Sequence, residues 1–167
     1  MKELVPYLVI IVIISAIVAL FLSLGEKQNM IVIKEGNLKK LPLQIELGKY
    51  QDSDCGMVIE DMNYASQIIS PSGRTYFFHD HGGFVNWIND KSFKDKAIIW
   101  VMTIDTKEWI KASEAFYSIN ETTPMGYGFG AYKNDKDALI DYDTMRLRVL
   151  RGETLNNPKI RKQLLGE

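Results

Sequence analysis

The chain is poor in the residues that most often carry metal or thiol chemistry. Its 167 residues hold one cysteine, Cys55, and two histidines, His79 and His81. A single cysteine excludes an internal disulfide framework. It leaves a free thiol, which outside the cytoplasm is open to oxidation unless buried or metal-bound. One Cys and two His give three N or S ligands, one short of a closed tetrahedral zinc site. A charge excess is missing as well. The net charge is −1 with 25% charged residues, so no basic footprint points to nucleic acid. Low-complexity segments are absent. Hydrophobic residues (46%) and aromatics (11%) suffice for a globular core, and the length suits one compact domain plus extras.

The one long apolar run is Leu4 to Leu24, 21 residues without a charge. At about 1.5 Å per residue it matches a hydrocarbon core of about 30 Å. A signal peptide is the rival, but its apolar core is typically about 7–15 residues, and Ser23-Leu24-Gly25 is a weak small-x-small cleavage site. An uncleaved, single-pass anchor over 4–24 is therefore expected. Lys2 precedes it and Lys27 and Lys34 come after it, so the positive-inside rule signs the orientation poorly. The short N-terminal tail favours translocation of the domain. The chain divides into a tail and anchor over 1–25, a polar lead-in over 26–49 and a domain over 50–167.

Met30-Ile31-Val32-Ile33 is a short strand candidate, and Leu43, Ile45 and Leu47 alternate as a half-buried strand or extended arm. Tyr64 to Ile69 and Arg74 to Phe78 flank Pro71-Ser72-Gly73 and predict a hairpin. Phe84, Trp87 and Ile88 make the stripe of a short helix. Ala97 to Ile104 is too apolar for an edge strand. The order then repeats: strands over Glu114–Ile119 and Tyr127–Tyr132, a helix capped by Asn134 or Asp135 that carries Ala138, Leu139 and Tyr142, and a strand over Arg146–Leu150. The expected fold is α+β, two β-β-α-β units of about fifty residues each. A last helix runs from Pro158 to Leu165, with Asn157 as cap and Gly166 as stop.

Three stretches bear on chemistry. In Asp52-Ser53-Asp54-Cys55-Gly56-Met57 a thiol and a thioether sit two residues apart across a glycine. Thiolate and thioether donors suit Cu(I), whereas Mg²⁺, Ca²⁺ and Mn²⁺ prefer oxygen. The plainer alternative is a buried Cys and a gap-filling Met. Met125 lies between Pro124 and Gly126, which hold it in a constrained loop, poorly placed as core filler and well placed for presentation. His79-Asp80-His81 ends a strand. If the strand continues, both imidazoles point one way and can ligate a metal; otherwise they cap the next helix or bond carbonyls. A Cys55-His79-Asp80 hydrolase is disfavoured because neighbours on a strand point apart.

Cys55-Gly56-Met57, Tyr76-Phe77-Phe78-His79-Asp80, Trp87, Ala115-Phe116-Tyr117, Thr123-Pro124-Met125-Gly126 and Gly128-Phe129 together resemble the NosL family, accessory proteins for nitrous oxide reductase, over about residues 50–150. The resemblance implies a periplasmic Cu(I)-binding chaperone rather than an enzyme, and copper-accepting proteins of the reductase maturation system as partners. It implies two β-β-α-β units related to the organomercurial lyase domain. By position, Cys55, Met57 and Met125 are its metal sulfurs, with His79 and His81 as further ligands or supporting groups outside the family pattern. Typical members are lipoproteins. This chain departs from that pattern, with an apolar run and no lipid-acceptor cysteine; the run and the resemblance together imply an inner-membrane anchor with the domain in the periplasm. The alternative is a metal-independent, membrane-anchored interaction module.

Overall fold

Two neighbouring aromatics on one strand, Phe77 and Phe78, point to opposite faces and need two cores. The computed structural model, which describes residues 5–24 and 30–166, supplies both. Its strands are β1 (Ile33–Lys34), β2 (Ser66–Ile69), β3 (Thr75–Phe78), β4 (Ile98–Met102), β5 (Trp109–Lys111), β6 (Phe116–Tyr117) and β7 (Ala131–Tyr132). Its α-helices are α1 (Val5–Leu24), α2 (His81–Asn89), α3 (Tyr142–Leu150) and α4 (Pro158–Leu165). Strands β1 to β5 form one antiparallel sheet in the order β1-β3-β2-β4-β5. Strands β6 and β7 make a second, two-stranded sheet, joined to the end of β4 by a bridge between Thr103 and Ala131.

On one face of the large sheet, Ile68, Tyr76, Phe78 and Val101 pack with Phe84, Val85 and Ile88 of α2 and Met145 and Val149 of α3. On the other, Ala65, Phe77 and Met102 pack with Ile45, Tyr50 and Ile59. Each fully buried Phe or Ile adds about 1.5–3 kcal/mol. The second cover comes from the chain ahead of β2. No strand forms around Leu43; the Gln67 side chain clasps it instead, accepting from Leu43 N at 2.8 Å and donating to Leu43 O at 2.7 Å. This is the extended-arm alternative, with Ile45 buried and Leu47 exposed.

The first β-β-α-β unit is present as β2-β3-α2-β4, and β4 is an interior strand as its apolarity predicts. The second unit needs correcting. Its last strand, expected over Arg146–Leu150, is the second half of α3, so the unit is β-β-α. Met145 and Val149 are buried four residues apart while Leu147 and Leu150 are exposed, which is helical spacing. The helix starts later than expected. Asp141 caps it, Oδ1 accepting from Thr144 N at 2.7 Å, and Ala138 lies outside it at φ 72°. A five-residue alternation fits either period, and burial of Met145 and Val149 decided between them. The final helix matches expectation: Asn157 caps it, Pro158 opens it and Gly166 ends it in the left-handed region.

Helix α1 is 20 residues of uncharged backbone. Its side chains are described from Tyr7 to Phe21 and are exposed. Among the described residues no helix is long and apolar enough to cross a membrane. Lys2, Gly25 and Lys27 lie outside the described residues.

Candidate metal centre

Cys55 rides on a loop that closes on itself. Gln51 and Val58 pair across its base, Asp52 N donates to Met57 O at 2.8 Å, and Gly56 N donates to Asp52 O at 3.0 Å. Gly56 turns the chain at φ +74°, where a Cβ is penalised. The Asp52 carboxylate folds back inside the turn, Oδ1 accepting from Asp54 N at 2.8 Å and Cys55 N at 3.1 Å. Ser53 ties the loop to β3: its N–H donates to Phe77 O at 2.7 Å and its Oγ accepts from Phe77 N at 2.9 Å.

The other carboxylate oxygen reaches past the end of β3. Asp52 Oδ2 accepts from His79 N at 3.0 Å and from His79 Nδ1 at 2.7 Å. Cys55 Sγ lies 4.0 Å from the same Nδ1. One ligand atom from each of Asp52, Cys55 and His79 therefore falls within 4.8 Å of the others, a group able to hold a metal ion. Two donors bound to one ion at about 2.0–2.3 Å stand at most about 4.6 Å apart. Asp52 and His79 are buried, whereas Cys55 and Met57 are exposed, Met57 at 45%. His79 Nε2 is buried without a hydrogen-bond partner.

Charge tracks this geometry. Burial pushes the Asp52 carboxyl up, but the His79 ring and the N–H groups of Asp54, His79 and Cys55 outweigh it, and the net pKa is lowered. The Cys55 thiol is raised: desolvation and the charges of Asp52 and Asp54 exceed the lowering bond from Met57.

The two histidines do not share a face. The strand stops at Phe78, and Asp80 caps α2, so the chain turns between them. His81 is fully buried among the rings of Tyr64, Phe84 and Tyr117. Its Nδ1 lies 2.7 Å from Ser66 Oγ and its Nε2 has no partner. Burial lowers its pKa to about 3. It is outside the Asp52-Cys55-His79 group.

Met125 sits in the loop between β6 and β7, and its backbone N–H donates to Asp80 Oδ2 at 2.9 Å. The Cys55 loop and the Met125 loop thus bond to consecutive residues, His79 and Asp80. Asp52 and Asp80 carry these ties, and sequence reasoning assigned neither of them that part. The available signal was local: an aspartate two and three residues ahead of the N–H groups it accepts is an Asx turn. No protein-family model matches the chain, and no curated protein matches it.

Proposed function

We propose that the chain is a membrane-anchored, extracytoplasmic Cu(I) carrier of the NosL type that delivers copper for maturation of nitrous oxide reductase. One observation carries the reading: the two sulfur-bearing loops are fastened to the same corner, His79-Asp80, by separate buried carboxylates. Cys55, Met57 and Met125 are the proposed copper sulfurs. The thiolate supplies the attraction, and the thioethers select the soft monovalent ion over harder divalent ones. His79, whose Nδ1 lies 4.0 Å from Cys55 Sγ, is the proposed further ligand or supporting group, and the Asp52 carboxylate fixes its ring.

Exposure of Cys55 and Met57 suits a carrier, because a recipient's sulfurs can join the copper before the first ones leave. Copper displaces the proton of a thiol held above its ordinary pKa, so uptake releases a proton and weakens as pH falls. Asp52 and Cys55 both address the same ring nitrogen, Nδ1. A nucleophile relay uses the two nitrogens separately, so this geometry favours a carrier over a cysteine hydrolase. The anchor in this reading rests on the uncharged run Leu4 to Leu24.

The test is an anaerobic Cu(I) titration of the full chain in detergent against a competing chelator. One equivalent is expected to bind. Cys55→Ser should lose far more affinity than Met57→Leu or Met125→Leu, beyond the about 10–100-fold typical of groups behind the ligands. Wild-type affinity in Cys55→Ser would refute a sulfur-centred site. No binding by the wild-type chain would leave the metal-independent interaction module.

A further inference from the structure

We infer that Asp80 is a positioning residue that holds Met125 in place for the metal before any metal arrives, an inference that rests on the copper reading above. Asp80 is fully buried at the junction of β3 and α2. Its two oxygens do different work. Oδ1 accepts from Gly82 N at 3.0 Å and caps α2; Oδ2 accepts from Met125 N at 2.9 Å, forty-five residues away in sequence. The loop beyond Met125 lies flat on the first turn of α2. A Cβ on Gly82 would fall 2.1 Å from Tyr127 Cγ, and the Tyr127 hydroxyl accepts from Asn86 Nδ2 at 3.2 Å. A Cβ on Gly83 would stand 3.8 Å from Met125 Sδ, so the thioether rests over the same turn.

The physical need arises from the donor. A thioether is uncharged and draws Cu(I) weakly, so it cannot offset the ordering of its own loop, which takes about 1–2 kcal/mol per residue fixed. A carboxylate that accepts the loop's N–H orders it beforehand, and binding then keeps what ordering would have consumed. The same residue starts α2 and adjoins His79. Through Asp80 the Met125 loop, the helix start and the histidine beside Cys55 become one rigid corner.

The experiment separates the two oxygens. Serine and asparagine both cap helices well. Asp80→Ser keeps an acceptor for α2 but is too short to reach Met125. Asp80→Asn keeps the cap through its oxygen and turns an amide donor toward Met125 N–H. Full-length variants in detergent are titrated with Cu(I), and the copper-bound sulfurs are counted by X-ray absorption, with thermal unfolding as the check on folding. Each Asp80 variant is expected to lose about 10–100-fold in affinity, to match Met125→Leu, and to lose one sulfur neighbour. The double variants are expected to be no weaker than Met125→Leu alone. A purely structural aspartate would not change the sulfur count. Wild-type affinity and sulfur count in both Asp80 variants, with Met125→Leu weakened, would overturn the inference and leave the copper reading standing. Additive losses in the double variants would overturn it as well. A silent Met125→Leu overturns it together with Met125's place in the site, and absence of Cu(I) binding in the wild-type chain overturns the whole reading. If Asp80→Ser does not fold, Asp80→Asn decides.

Discussion

Removing the Asp52 carboxylate tests whether the candidate site is built into the fold. Asp52 is 2% exposed and accepts four hydrogen bonds, from Asp54 N, Cys55 N, His79 N and His79 Nδ1. Bonds to a charged group contribute about 1.5–3 kcal/mol each. Here they do not add, because water replaces the carboxylate at the loop N–H groups. The two His79 contacts are buried and keep most of their worth. Asp52→Ala leaves two buried His79 donors unpaired and should therefore destabilise the domain by about 2–6 kcal/mol, at about 1–3 kcal/mol for each. Asp52→Asn retains one acceptor oxygen for the loop and turns an amide toward two His79 donors. The ring can change tautomer and accept, but the backbone N–H cannot, which leaves a cost of about 1–3 kcal/mol. The order is wild type, Asn, Ala. Urea unfolding of the full chain in detergent, monitored by Trp87, Trp100 and Trp109 fluorescence, measures it, with exposed Cys55→Ser as a near-neutral control. Because the folded pKa lies below the ordinary 3.8, the Asp52 contribution is present above that value and fades as pH falls through the folded pKa. The gap between wild type and Ala should therefore close in acid. Variants within about 0.5 kcal/mol of wild type at pH 7 would refute the reasoning, since that is the scatter of an ordinary surface change.

Other outcomes rest on single contacts. His81 has a folded pKa of about 3 against an unfolded value of 6.5, so stability is full above 6.5 and falls as the pH drops toward 3. At about 1.36 kcal/mol per pH unit, about 2 kcal/mol should disappear between pH 7 and pH 5, and His81→Gln should flatten that slope in unfolding curves at several pH values. Gly82→Ala puts a methyl into Tyr127 and should lower stability by about 1–3 kcal/mol, less in a Tyr127→Ala background, as read by thermal unfolding. Asp141→Ala removes the cap of α3 and should destabilise by about 1 kcal/mol in the same assay, where a strand over 146–150 would be indifferent. The full-length protein should stay with membranes through a carbonate wash; a mature chain beginning near Glu26 would establish a cleaved signal instead.

Most of the first unit was legible because its signals are local. The hairpin turn at Pro71-Ser72-Gly73, the stripe of Phe84, Trp87 and Ile88, and the apolar run Ile98 to Met102 each encode one element through near neighbours. The final helix was legible down to its cap for the same reason. The second unit was harder. Tyr127 to Tyr132 read as a strand, but only Ala131–Tyr132 pair, because the glycine-rich stretch is spent on the loop that reaches Asp80. Arg146 to Leu150 fitted two periods, and only burial of Met145 and Val149 against the sheet chose one.

The sequence by itself determined the α+β class, the singularity of Cys55 and the constrained loops that carry Cys55, Met57 and Met125, since composition and turn residues act over a few positions. Only the tertiary structure decided which groups meet. Asp52 lies twenty-seven residues from His79, and Asp80 forty-five from Met125. His79 and His81, two apart in sequence, end in different environments because a strand ends and a helix begins between them. Chemistry at a site depends on which atoms converge. Convergence across such separations is set by how the elements pack around the sheet, which no local pattern records.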